Sequence, residues 1–446
     1  MRLAVWSPLP PSPSGIADYV AEQLPLLAGN ADVTIVVPDP EEVAPASAQG
    51  VRLAPSDTGA PEADLDLYHV GNSPAHAYVY RQAVRHPGVL VLHEWSVHHL
   101  VLGETVGRGE TSPYLHEMRR AYGERGTFVG RQVARALGGD VLPALFPLNE
   151  RLLETCLGLV GLTRYVTSRA APRLGRRPVL HLPHHAFLPF GSPPSKEEAR
   201  RALGLPVDAL VVTAPGLATA SKRLSAAIRA IGRLRSTFPT LRLVVAGAVF
   251  EGLPLENWAR EAGLGEALVV TGRLSLGDFV RHVAAADVVL ALRYPTHGEM
   301  SGALLRALGV GRPVLVTAGT PAAEEFPEGV VVPVDPGPSE EGELEALLSH
   351  LLQEPALCET IGRLAREHVA RENALPPGVA RLFAFLVDVN GRKEALRRDV
   401  ASLRVPEGER LGFLLDEIRF GALDLGLPGI PAGVESVVRR FAGTGA

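Results

Sequence analysis

The sequence predicts an α/β protein built from two doubly wound parallel-sheet domains that face each other across a cleft, with a helical C-terminal extension. Three observations carry this. The 446 residues are too many for one core and suit two domains of roughly 200 residues each plus an appendage. Short apolar runs alternate with helical stretches in two successive series, the pattern of parallel sheets covered by helices. Between the series, Ala186 to Pro194 is rich in Pro, Phe and Gly and has no periodicity, which marks a linker.

Composition narrows the function classes. With 46% hydrophobic and 21% charged residues, this is an ordinary soluble composition. No apolar run reaches the length of a membrane span, and Met1 to Trp6 leads straight into a strand, so the expected location is cytoplasmic. Cys156 and Cys358 stand far apart without a disulfide or zinc spacing and read as small buried hydrophobes. A net charge of -5 argues against nucleic acid as a partner; Arg119-Arg120 and Arg397-Arg398 read as solvated helix faces.

In the first series, strands are expected at Leu3 to Trp6, Val33 to Val37, Leu67 to Val70, Val89 to Leu92, Gly158 to Leu162 and Val179 to Leu182. The loop after the first strand, Ser7 to Gly15, is Pro-rich and is not the Gly-x-Gly-x-x-Gly of a dinucleotide site, which counts against a nicotinamide dehydrogenase. Ligands of open parallel sheets sit at the carboxyl edge of the strands, where Gly71-Asn72-Ser73 and His93-Glu94-Trp95 lie. His69, His76, His98 and His99 read as core or capping histidines. From Gly103 to Glu150 the pattern is helical and Arg-rich.

The second series opens with the strand Leu210 to Thr213 and the loop Ala214 to Ser221, after which Lys222-Arg223 begins a helix. Cations are disfavoured at a helix N-terminus unless an anion is near, so their placement points to a phosphate. Further strands are expected at Leu241 to Ala246, Val269 to Thr271, Asp287 to Leu292, from Val314, and at Val330 to Val334; Glu324 and Glu325 read as surface acids. Between Leu292 and Val314 a helix starts near Glu299 or Ser301, and Gly298, Ser301 and Gly302 let a ligand approach its free N–H groups. Glu299 repels a bare phosphate but suits a ligand carrying hydroxyls beside phosphate, such as a nucleotide sugar.

The segment Gly298-Glu299-Met300-Ser301-Gly302 with Leu304-Leu305-Arg306-Ala307-Leu308 resembles the donor-binding helix of the retaining glycosyltransferases of family 4, whose GT-B fold pairs two Rossmann-like domains. The resemblance implies that Gly216 and Lys222, six residues apart, grip the donor diphosphate. The family's Arg after that Gly is Leu217 here, with Arg223 as its substitute. It implies further that Gly272 and Arg273 line the base, that Met300, Ser301 and Gly302 offer amides, that Ser14, Gly15 and Asp18 belong to a loop closing over phosphates and acceptor, and that His93 touches sugar or acceptor. The family's second Glu falls on Ala307 counted from Glu299, or on Arg306 counted back from Gly311-Arg312-Pro313, which leaves the ribose ligand unassigned.

The domains expected are 1–185 for the acceptor, a linker at 186–205, 206–375 for the donor, and 376–446 as helices that cross back plus an appendage. The implied reaction is transfer of a sugar from a nucleoside diphosphate to a sugar, lipid-linked or other hydroxyl acceptor, with retention, in glycan or glycolipid synthesis. The nucleotide sugar is a co-substrate, and no cofactor is expected. No catalytic metal is expected, because Asp64-Leu65-Asp66 precedes its strand instead of ending it. Peripheral contact with the inner membrane surface is compatible with this reading, and the sequence sets no oligomeric state. Two alternatives stand beside it: a nucleotide-sugar epimerase using His93 and Glu94, and a nucleotide-sugar binding protein that has lost catalysis through Leu217 and Ala307.

Overall fold

The computed structural model describes residues 1–58, 62–139, 141–188 and 192–403, with isolated residues between 415 and 440. The appendage expected within 376–446 falls largely outside them beyond residue 403.

The first sheet contains β1 (Arg2–Trp6), β2 (Asp32–Val37), β3 (Arg52–Pro55), β4 (Leu65–Val70), β5 (Val89–Leu92), β6 (Gly158–Gly161) and β7 (Val179–His181). They pair in parallel in the order β3-β2-β1-β4-β5-β6-β7. The second sheet contains β8 (Val211–Pro215), β9 (Arg242–Ala246), β10 (Leu268–Val270), β11 (Val288–Ala291), β12 (Val314–Thr317) and β13 (Val332–Val334), in the parallel order β10-β9-β8-β11-β12-β13. In each sheet the chain order reverses once, between β1 and β4 and between β8 and β11. Such switch points open the crevices where ligands of doubly wound sheets bind.

Alternation along each strand builds the layers. Leu3 and Val5 of β1 pack on one face of the first sheet, with Tyr19, Leu24 and Leu27 of the helix Gly15–Ala28, while Ala4 and Trp6 pack on the other. That first face is completed by Val379, Leu382 and Leu386 of the helix Leu375–Gly391 and by Leu396 and Val400 of Lys393–Ser402, so the chain's late helices cover the first domain. In the second sheet, the helix Leu224–Leu234 lies on one face and Gly302–Val310 on the other.

Three details differ from the sequence reading. β3 was not expected, because its four residues lie half-exposed at the sheet edge and lack a buried apolar run. Residues within the expected linker form a helix, Lys196–Ala202, closed by a Ser195/Glu198 capping box. Its Ala199 is in the second domain's core, and Arg200 Nη2 donates to Asp287 Oδ2 at 2.7 Å, so this helix belongs to the second domain. Lys222 closes a short 3-10 turn, Ala220–Lys222, and the helix begins only at Leu224 because Arg223 adopts a left-handed φ of 55°.

Candidate active site between the two sheets

The carboxyl ends of β8 and β11 bring Gly216, Lys222 and the start of the helix Gly302–Val310 to one place. Gly216 has φ +82°, and a Cβ built there would lie 3.2 Å from Lys222 Nζ and 3.9 Å from Ala303 Cβ. Behind it, Gly247 packs so closely that its own Cβ would meet Gly216 O at 2.5 Å. Only glycine fits this corner, where the Lys222 side chain and the start of the helix Gly302–Val310 come together. Lys222 donates to the Pro215 carbonyl, and burial, with Arg293 nearby, lowers its pKa to about 7. An anion bound beside it would restore its charge.

Glu299 stands just before the helix. Its Oε2 accepts from His297 N at 2.7 Å and Thr296 Oγ1 at 3.2 Å, and Arg293 Nε lies 3.1 Å from Oε1. These bonds fold residues 293–299 into a fixed loop. Ser301 caps the helix, its Oγ accepting from Leu304 N, while Gly302 is the first helical residue and Met300 packs partly into the core. Gly298, at φ +84°, sits so close to the first domain that a Cβ would meet Tyr165 Cδ1 at 2.6 Å. Its carbonyl accepts from Thr163 Oγ1 at 3.0 Å, and the His297 carbonyl accepts from Trp95 N at 2.6 Å and Ser96 N at 3.3 Å.

Facing this loop, Glu94 at the end of β5 accepts from Asn72 N at 2.7 Å. Burial, reinforced by the neighbouring Glu299 carboxylate, pushes its carboxyl up to about 8, so it holds a proton at neutral pH. Asn72 in turn positions the next helix, its Oδ1 accepting from Leu100 N at 3.1 Å and its Nδ2 lying 3.0 Å from His99 Nδ1. Neither contact is visible in the sequence, where only the strand-end position marked these residues.

His93 points elsewhere. Its Nε2 is 3.0 Å from His69 Nδ1, and its ring meets Tyr19 edge-on at 5.0 Å. His69, His76, His93, His184 and His185 form one buried group with Tyr19, whose ring stacks on His185 at 4.4 Å. Burial lowers His69 to about 3 and His76 to about 4, and holds His93 and His184 well below the ordinary range. The expectation of His93 as a reacting group gives way to a neutral packing ring. Its neighbour Glu94 is the group that faces the loop.

The phosphate-loop candidates lie on the first domain's side. Ser14 caps the helix Gly15–Ala28, accepting from Ile16 N at 3.2 Å, and a Cβ on Gly15 would meet nothing within 4 Å. Asp18 has its pKa raised by burial, opposed by the cations Arg306 and Arg273, which brings it and Arg273 within electrostatic reach across the cleft. Gly272 turns the chain at φ +71°. Arg223 is a correction: its guanidinium is committed to Glu340, a buried first-turn acid of the helix Glu340–Gln353, and does not replace a phosphate ligand. Ala307 is fully buried, which removes it as a ribose ligand. Arg306 instead reaches the first domain, pairing with Glu22 Oε1 at 2.5 Å, while Glu22 Oε2 lies 2.7 Å from His185 Nε2. Glu325, expected at the surface, is another domain bridge: it holds the Arg164 backbone N–H and lies 3.3 Å from its guanidinium.

Against known proteins, residues 195–368 match the family model described as "Glycosyl transferases group 1". The matched segment coincides with the second sheet and its helices and carries Gly216, Lys222 and Glu299. Over 192 residues the chain is 32% identical to the D-inositol 3-phosphate glycosyltransferase of Saccharomonospora viridis, covering 40% of this chain and 43% of that protein. The chain spans under half the length of the curated relatives it matches. Among solved structures it is similar to sucrose-phosphate synthase from Thermosynechococcus elongatus (15% identity, 87% of this chain and 99% of that one, TM-score 0.59). It is similar also to HepE of Anabaena in complex with UDP and glucose (16% identity, 87% and 100%, TM-score 0.60). At these identities the structures establish the fold alone: two Rossmann-like domains in a GT-B arrangement. No helix among the described residues is long and apolar enough to cross a membrane.

Proposed function

We propose that this protein is a glycosyltransferase that moves a sugar from a nucleoside diphosphate to an acceptor hydroxyl, with retention of configuration. The observation that carries the reading is the glycine corner at Gly216, which sets the half-buried Lys222 side chain beside the mouth of the helix Gly302–Val310. A diphosphate seated there gains charge as the glycosidic bond breaks. A fixed cation and free helix N–H groups stabilise that charge more in the transition state than in the ground state. Glu299, set by its loop, orients the sugar through its hydroxyls, and the protonated Glu94 donates a hydrogen bond from the opposite wall. In a front-face mechanism the donor's own phosphate oxygen takes the acceptor proton, so no protein nucleophile is required. The first domain binds the acceptor, which is a sugar, a lipid-linked compound or another alcohol. The matched relative acts on D-inositol 3-phosphate, which makes sugar-like alcohols the first acceptors to screen.

Thermal unfolding with a panel of nucleoside diphosphates tests the donor site, since a ligand at a hundred times its dissociation constant adds ~2.7 kcal/mol to the native state. NMR of the product's anomeric centre tests retention. No shift with any diphosphate removes the reading. Glu94 favours one second reading, a nucleotide-sugar epimerase, because a carboxyl that holds its proton to about pH 8 at the wall of the site can act as an acid or a base on the bound sugar. Isomerised nucleotide sugar formed without acceptor would select it.

A further inference from the structure

A cavity of about 720 Å³, within the ~300–1,000 Å³ range of small-molecule sites, opens at the amino edge of the second sheet. It lies where β8, β11 and β12 begin, beside Leu210, Asp287 and Pro313, and between the helices Lys196–Ala202 and Pro355–Glu372. The Gly216 corner is at the opposite, carboxyl edge of the same sheet, so nothing in the proposed transfer uses this cavity.

The charges of its lining are sorted by depth. Glu197, Asp208, Glu359 and Glu367 stand at exposed positions together with Arg363 and Arg366, where water screens them. The inner wall sets Lys196, Arg200 and Arg312 against a single carboxylate, Asp287. That carboxylate is already shared: Lys196 Nζ lies 3.1 Å from Oδ1, and Arg200 Nη2 lies 2.7 Å from Oδ2, which also accepts from Val211 N at 2.7 Å. Arg312 is left over. Its side chain makes no hydrogen bond and no ion pair among the described residues, and of its three guanidinium nitrogens only Nε is closed off from the surface. Burial lowers its pKa; Asp287 and Glu197 oppose the shift, and Arg200 and Arg366 deepen it. Arg366 is drawn in over Gly311, where a Cβ would meet its Nη2 at 2.5 Å, and donates to the Val310 carbonyl at 2.9 Å.

Two positive charges in excess on an inner wall cost free energy that a bound anion offsets. A cation would add to the excess, a neutral ligand would leave it, and a monocarboxylate would cancel half of it. A phosphate group carries about −1.5 to −2 charges at neutral pH and accepts the parallel N–H bonds that a guanidinium offers. We infer that this cavity is a phosphate site, for inorganic phosphate or a small phosphate monoester, with Arg312 as its anchor and Lys196 and Arg366 beside it. It draws on no residue of the donor cleft and stands or falls apart from the transfer activity.

Cys358 is a local reporter. It lines the same cavity half-exposed, its Sγ donating to the Leu351 carbonyl at 3.1 Å, whereas Cys156 is buried. The full chain is alkylated with iodoacetamide in excess UDP, and modification of Cys358 is followed by peptide mass spectrometry with inorganic phosphate, with glycerol 3-phosphate, and with chloride at matched ionic strength. Expected is alkylation slowed about threefold or more by at least one of the two phosphates and not by chloride, with the half-protecting concentration raised roughly 10- to 150-fold in Arg312→Gln and about fivefold in Arg366→Ala. Protection by inorganic phosphate assigns the site to the free ion, and protection by glycerol 3-phosphate alone assigns it to a monoester. No protection by either overturns the inference. So does protection matched by chloride, or a half-protecting concentration unchanged in both variants; Arg366→Ala, at an exposed position, decides where Arg312→Gln fails to fold.

Discussion

Replacing Lys222 by Met separates the electrostatic account of the Gly216 corner from a purely steric one. The side chain is half-buried and makes one hydrogen bond, to Pro215 O, while its loss of solvent holds its pKa near 7. Met fills a similar volume without the ammonium. In the free protein, losing one bond of ~1 kcal/mol is offset by no longer burying a charge, so stability should change little. Binding is different. A charge-assisted bond to phosphate contributes ~1.5–3 kcal/mol, so Lys222→Met should weaken diphosphate affinity roughly 10- to 150-fold by titration calorimetry.

The pH dependence sharpens the test. Above pH 7 the wild-type amine is neutral and must take up a proton to hold the anion, so affinity is full below 7 and declines by up to about tenfold per unit as pH rises. The variant should show no such decline. Stability moves the opposite way: the unfolded lysine keeps its proton to its ordinary pKa of 10.5, so the unfolded chain binds more protons between pH 7 and 10.5, and wild-type stability rises across that window. Diphosphate affinity within twofold of wild type, or an unchanged decline with pH in Lys222→Met, would refute the reasoning.

Three further outcomes follow from the same geometry. Glu299→Ala should lower turnover at least ~100-fold, by losing an oriented contact to the sugar, while diphosphate affinity stays within threefold; the reverse pattern in steady-state kinetics would reassign the residue. Glu94→Gln keeps the Asn72 bond and removes the titration: the folded wild type holds its proton to about pH 8 but the unfolded chain only to 4.5, so wild-type stability falls from pH 4.5 to 8. Melting temperatures should therefore favour the variant progressively across that window, and parallel curves would mean the carboxyl is not held protonated. Arg306→Ala leaves Glu22 buried without its cation at the domain seam and should cost about 3 kcal/mol in denaturant unfolding, largely recovered in Arg306→Met with Glu22→Gln; a loss under 0.5 kcal/mol, on the order of a surface substitution, would show the pair to be ornamental.

The sequence carried the sheets well because buried parallel strands are continuous apolar runs, and β8, β9, β11 and β12 are all of that kind. It carried β3 poorly because an edge strand need not be apolar. Within the candidate site, Gly216 and Lys222 were named from the resemblance, while Gly298 to Gly302 stood out as small residues at the start of a helix between two apolar strands. Partners set by the approach of two sheets were not. Glu22 and Arg306 are 284 residues apart, and nothing local in either announces the other. His93 and Glu94 illustrate the limit more finely: they follow β5 directly, and only the packing of His93 on Tyr19 and His69 decides that Glu94 is the one that meets the loop.

The loop before the helix Gly302–Val310 belongs to the second domain by sequence and to the first by hydrogen bonding, through the carbonyls of His297 and Gly298. If the proposed site holds, phosphate recognition resides in one domain and travels with it, whereas the shape offered to the sugar is jointly authored. In a lineage that keeps its second domain, substitutions at Trp95, Thr163 or Tyr165, none of which needs to touch a ligand, become a route by which sugar preference can drift while nucleotide preference stays fixed.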